Sequence, residues 1–207
     1  MTSLSRRAFV TAATASLLAG CAGHEAGRSA TARPTGVPAP SGPTGKAGKA
    51  APRTLARSVP VGLRIPAIGV DTSVMRLGLA ADGSMQVPPI EADDRAGWYQ
   101  HSPTPGQVGP SVILGHVTVG AYGDGVFRRL AELGRGDRVV ARLENGTRAE
   151  FAVTSVRTVA KADFPTEAVY GDVDRPELRL ITCGGPRSGS GYPDNVIVFA
   201  ALGTASP

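Results

Sequence analysis

From Val59 onward the apolar residues come in short β-branched or alternating runs, each cut off by Gly, Pro, Asp or Asn. The runs are VGLRIPAI (61–68), GSMQVP (83–88), SVILGHV (111–117), DRVVARLE (137–144), RAEFAVTSVRTV (148–159), ELRLITC (177–183) and NVIVFAAL (195–202). Runs of this length and pattern predict strands. Asn145-Gly146, between two of them, predicts a hairpin with a two-residue turn. Two stretches carry helical spacing instead. In GVFRRLAELGRGD (125–137), Val126, Phe127, Leu130 and Leu133 share one stripe, and Gly134 ends it. FPTEAVYG (164–171) has room for a turn or two. Many strands, few helices and no strand–helix alternation predict an all-β fold, a closed or nearly closed barrel with short helices in its connections. There is no internal repeat.

The first residues follow a different pattern. Arg6 and Arg7 stand just ahead of an apolar stretch, Ala8 to Gly20, that is too short to span a bilayer as a mature anchor. The paired arginines resemble a twin-arginine export signal. The stretch ends in LAGC, resembling a bacterial lipobox whose cysteine, Cys21, receives a diacylglycerol after cleavage. Residues 22–58 are rich in Ala, Pro, Gly, Thr and Lys, with almost no large apolar side chain, so they read as an extended tether that does not fold. The expected organisation is a signal (1–21), a tether (22–58) and one folded domain (59–204), exported and held at the extracellular face of the membrane.

Charge supports this division. The chain carries +5, yet from Val59 onward it has 14 basic against 16 acidic residues, a domain near −2. The basic excess belongs to the signal and tether, where it suits anionic lipid or wall polymer. It gives no nucleic-acid-binding face, and the nucleic-acid motifs are absent.

The chain has two cysteines. With Cys21 consumed by the signal, Cys183 has no partner in its own domain, although export would take it where disulfides are allowed. It ends the apolar run LRLIT and precedes a Gly-rich loop. Of the three histidines, His24 lies in the tether and His101 in a proline-rich loop, while His116 ends SVILGH just as Cys183 ends its own run. Two strands that each deliver one reactive side chain beside flexible loops are a plausible cysteine–histidine site. A buried structural cysteine is the plain alternative.

ILGHV, followed by GVFRRLAELGRGDRV and then LRLITCGG, is similar to the sortases. TCGG with the later YPDNVIVFA resembles the actinobacterial class F group. LRIPAIGVDTSV, WY and PGQVGPSVILGH match the same family in the same order, so the resemblance runs from about Val59 to Ala200. It implies an eight-stranded β-barrel and a membrane-tethered, monomeric transpeptidase without metal or cofactor. Such an enzyme cleaves an LPxTG-like sorting signal through a cysteine thioester and passes the acyl group to a peptidoglycan precursor amine. Cys183 would be the nucleophile and His116 the acid/base. Thr182, just before the nucleophile, would contribute to the oxyanion site.

The chain departs from the family at its arginine. Sortases generally carry one on the strand after the cysteine, and here that position is Asn195; two residues earlier, where class F sequences often place it, stands Pro193. Arg187, in the loop past Cys183, is expected to supply the charge, with Asn195 offering only a neutral amide. Arg179 shares the strand parity of Cys183 and could also face the site. Two other classes compete. An L,D-transpeptidase would set its histidine and cysteine close together, whereas His116 and Cys183 are 67 positions apart. A non-catalytic, sortase-like lipoprotein binding wall components would keep the barrel without the chemistry.

Overall fold

The computed structural model describes residues 54–91, 95–187, 189 and 191–203. The signal, Cys21 and nearly all of the tether lie outside the described residues. Eight strands form a closed barrel: β1 (Pro60–Ile65), β2 (Val70–Leu77), β3 (Ala96–Tyr99), β4 (Gly109–Leu114), β5 (Arg138–Leu143), β6 (Arg148–Ala160), β7 (Pro176–Gly184) and β8 (Asp194–Leu202). They follow one another around the barrel as β1-β2-β3-β4-β7-β8-β6-β5, and β5 returns to β1. Closure leaves no sheet edge unpaired. Two of the pairings, β2 with β3 and β4 with β7, are parallel.

Side chains alternate between the two faces of each strand. The inward set (Trp98, Phe127, Phe151, Leu63, Ile65, Ile113, Leu178, Leu180 and Val198 among them) is fully or almost fully buried and forms the main core. A second, smaller cluster lies on the outer face of β4, β7 and β8. Val112, Ile181, Ile197 and Phe199 are covered there by Val169, from the short helix α1 (Thr166–Tyr170), with Tyr99, Leu114, Val159 and Phe164 at its margin. Arg179 belongs to this outer face. It is 2% exposed, stacks 4.6 Å above the Phe199 ring and pairs with Glu177 at 2.6 Å.

The structure differs from the sequence reading at several places. Residues 83–88 form no strand. The backbone N–H of Gln86 turns back to the Gly78 carbonyl (3.1 Å), the Gln86 side chain takes the Gly78 N–H (2.8 Å), and Pro88 and Pro89 have no N–H to offer a ladder. β2 and β3 carry no clear strand signal in the sequence. VDTSVMRL lacks clean alternation, and AGWY is only four residues long with a glycine inside. Residues 125–137 make successive i→i+3 turns, Leu130 N–H to Phe127 O and Glu132 N–H to Arg129 O, rather than an α-helix. The apolar stripe is still right, because Phe127, Leu130 and Leu133 are buried.

The Asn145-Gly146 hairpin is present, one residue longer than expected. Gly146 N–H closes a turn on Leu143 O, and Gly146 itself takes φ +82° before Thr147 pairs with Leu143. Docking begins ahead of the expected boundary at Val59. Leu55 N–H donates to Gly106 O, and buried Ser58 takes the Asn145 N–H on its hydroxyl.

Candidate active site

The site follows from where β4 and β7 end and β8 begins. β4 and β7 run parallel in the register Leu114↔Ile181, and the ladder continues as Gly115 N–H donates to Ile181 O at 3.1 Å. Two residues beyond the Leu114–Ile181 pair stand His116, just past the end of β4, and Cys183, still within β7; the register carried on sets them abreast, on chains about 4.8 Å apart. On the other side, antiparallel β8 pairs Asn195 directly with Cys183. Directly opposed residues share a face, with Cβ atoms about 4.5–5.5 Å apart. The sheet thus presents Cys183 and Asn195 on one outward face, and His116, just past the end of β4, completes the row; all three are half-buried. Cys183 is a free thiol.

The other predicted residues fall elsewhere. Thr182 alternates to the opposite face and its hydroxyl is buried in the barrel without a hydrogen-bond partner. Its side chain therefore points away from the face that carries the sulfur. Arg179 lies four residues, or about 13 Å, down the strand from Cys183. There its guanidinium is taken up by Glu177 and the Ala168 carbonyl. Arg187 is exposed on the loop after β7 and makes no hydrogen bond or ion pair among the described residues. His101 sits edge-on to Tyr99 at 5.4 Å, beyond the far end of β3, and so at the opposite end of β4 from His116. Among the described residues, His116 is the histidine that adjoins the thiol.

The row stands at the end of the outer apolar cluster. Ile181 and Ile197 lie next to Cys183 and Asn195 on the same face, with Leu114, Val159, Phe164 and Tyr99 at the margin. Phe164 and Tyr170 pack ring to ring at 6.1 Å. Burial, reinforced by nearby Tyr99, raises the Tyr170 phenol above its ordinary range, so it stays neutral. The result is an apolar floor with an aromatic margin, leading to a thiol.

Two features around His116 could not be read from the sequence. One is a carbonyl: His116 Nε2 lies 2.6 Å from Pro88 O, while no hydrogen bond joins His116 to Cys183. The other is Gly125. A Cβ there would stand 2.2 Å from the His116 carbonyl oxygen, closer than real Cβ atoms come. The chain after His116 folds back on it, with Phe127 N–H bonding His116 O at 2.9 Å. Across the mouth, Tyr192 Oη bonds Thr118 Oγ1 at 3.4 Å and ties the loop after Cys183 to the loop after His116.

A sortase-domain family model matches residues 63–203, which include all of the barrel but the first three residues of β1 and all three residues of the row. The chain belongs to the sortase family. Solved sortases share its fold. Sortase A of Corynebacterium diphtheriae, a lid mutant, is 19% identical with a TM-score of 0.56, over 75% of this chain and 76% of that one. SrtA of Actinomyces oris is 25% identical with a TM-score of 0.52, over 75% and 87%. The sortase D5 transpeptidase of Clostridium perfringens is 21% identical with a TM-score of 0.51, over 70% and 78%. No curated protein matches the chain. The sortase family is one of extracellular or wall-associated transpeptidases that act on sorting-signal proteins and cell-wall amines. No helix among the described residues is long and apolar enough to cross a membrane.

Gly125 gives this sortase a test of how finely His116 is placed. Gly125→Ala must push the His116 backbone, and a displacement of about 1 Å can cost roughly 10²-fold in rate. Steady-state kinetics should show that loss in a variant that still melts cooperatively. Unchanged turnover would mean that the backbone of His116 has slack.

Proposed function

We propose that this sortase is a cysteine transpeptidase of the class F type. It would cleave an LPxTG-like sorting signal through a thioester on Cys183 and transfer the acyl group to a peptidoglycan precursor amine. The observation that carries this reading is the row His116–Cys183–Asn195 at the end of an apolar floor. The leucine and proline of the signal would lie along Leu114, Ile181, Val159 and Phe164, which brings the scissile carbonyl to Sγ.

The steps follow from the residues. Cys183 gives its proton to His116, and the thiolate attacks the carbonyl. His116 then protonates the departing glycine amine as the tetrahedral centre collapses to the thioester. An incoming amine attacks the thioester, and its proton returns through His116 as the thiolate leaves.

Negative charge on the carbonyl oxygen needs a donor. Asn195, fixed across the ladder from Cys183, is better placed than Arg187, whose loop position requires it to fold back over bound peptide. An oriented amide suffices for this role and is worth roughly 10²–10³ in kcat. This reverses the expected weight of the two residues. The site retains nucleophile, acid/base and an oriented donor, which favours catalysis over a purely binding lipoprotein.

An alanine series on purified protein tests the assignment. Cys183→Ala should abolish cleavage and transfer, and His116→Ala should cost orders of magnitude. Asn195→Ala should lower kcat by about 10² to 10³ and Arg187→Ala by less. Arg179→Ala should act on stability, lowering the denaturant midpoint because it removes the buried partner of Glu177, leaving only the more exposed Arg175, and uncovers the Phe199 ring. Near-normal turnover in either of the first two variants would sink the reading, and a crippled Arg187→Ala beside a normal Asn195→Ala would move the donor to Arg187.

The anchor is a separate part of the proposal: a lipid on Cys21, export by the twin-arginine route, and residence at the outer face of the membrane. Cys21→Ser should shift the protein from the membrane to the soluble fraction or stall its processing. Unchanged membrane retention would argue against the lipid.

A further inference from the structure

The parallel pairing of β2 with β3 requires the chain to travel back along the barrel between them. Residues 78–91 begin that return. A small hairpin, closed by the Leu79↔Met85 bridge and by the bonds between Gly78 and Gln86, braces the start. From there Val87 to Glu91 lie beside the loop that follows β4. The Cγ2 of Ile90 rests over Gly120, 3.5 Å from where a Cβ would stand, and Pro88 O meets His116 Nε2 at 2.6 Å. The side chains of Val87 and Ile90 remain more than half exposed, so the segment contributes little to the core.

A carbonyl oxygen has no proton to give, so the contact requires the proton to be on His116 Nε2. That leaves Nδ1, which makes no hydrogen bond among the described residues, as the nitrogen that can take a proton. The acceptor is held stiffly. Two successive prolines fix φ on both sides of it, and neither has an N–H to compete for it. A nucleophile–base pair works best when the base is oriented by a third group, and no carboxylate or amide side chain bonds His116 among the described residues.

We propose that the backbone carbonyl of Pro88 is the third member of this site, a positioning group that fixes His116 as the Nε2–H tautomer and reserves Nδ1 for proton exchange with Cys183 and the substrate amines. This rests on the acid/base reading of His116. Pro88 acts through the histidine and does not touch the substrate. A bond to a neutral carbonyl also persists when the ring is charged, so the orientation holds through both halves of the reaction.

The experiment joins a spectrum to kinetics. Long-range proton–nitrogen correlation on the full chain labelled with 15N-histidine, at a pH where the rings are neutral, reports the tautomer of each histidine. His24→Asn and His101→Asn assign the signals. We expect His116 to be protonated at Nε2. In Pro88→Gly/Pro89→Gly, which keeps the backbone carbonyl but releases the segment, the tautomers should mix. There kcat should fall roughly ten- to a hundredfold, the scale of one lost hydrogen bond to a charged group, with KM nearly unchanged. Val87→Ala, which trims an exposed side chain of the same segment, should match the parent in both readouts.

A Nδ1–H tautomer in the parent protein would overturn the proposal, and so would a diglycine variant with unaltered tautomer and kcat. A faster diglycine variant would also overturn it, by showing that the contact obstructs the histidine. If His116→Ala itself turns over normally, the catalytic role falls together with the reading beneath it, whatever the tautomer.

Discussion

The site depends on the register of three strands. β4 and β7 pair in parallel as far as Leu114 and Ile181, so His116 and Cys183, 67 positions apart in the chain, each follow that last pair by two residues, and β8 pairs back antiparallel to bring Asn195 opposite the same cysteine. None of the three side chains is held in the row by a bond to the others. The backbone ladder sets Cys183 against Asn195, and the chain folding back after β4 holds His116 beside them. A slip of one residue in β7 would turn Cys183 into the barrel and Thr182 outward, because strand side chains alternate. The packing of Leu178 and Leu180 against the interior, and of Ile181 against the outer cluster, keeps that from happening.

The same alternation separates stability from chemistry. One face of β7 fills the barrel. The other carries, in order, Glu177, Arg179, Ile181 and Cys183: an ion pair at one end, an apolar floor in the middle and a thiol at the other end. Arg179 is set apart from the thiol by its distance along the strand, and its charge is spent on Glu177 and the Phe199 ring. At the reactive end the connections close in. Gly125 touches the His116 carbonyl, Tyr192 bridges to Thr118, and Pro88 caps the imidazole.

Much of this was legible in the sequence. Strands that alternate or run β-branched (β1 and β4 to β8) could be read directly, and with them the positions of His116 and Cys183 at strand ends. β2 and β3 could not, since one carries polar residues on its outer face and the other is four residues long. Residues 125–137 show helical spacing because i→i+3 turns and α-helices both bury every third or fourth side chain. The candidate donors were harder. Parity correctly put Arg179 on the cysteine face but could not show that Glu177 had already claimed it. Charge drew attention to Arg187, whereas the ladder brings Asn195 beside the sulfur. The contact from Pro88 has no sequence signal, because any residue has a carbonyl, and only the crossover between β2 and β3 determines which one reaches the imidazole.

The central claim is that Cys183 carries the acyl group. The full chain incubated with an LPxTG-like peptide, quenched in acid and measured intact by mass spectrometry, tests it most directly. The account predicts an added mass equal to the peptide segment ahead of the scissile bond, mapped to Cys183, released by hydroxylamine and absent from Cys183→Ala. Cleavage of the peptide with no adduct at Cys183, or an adduct that persists in Cys183→Ala, would contradict it.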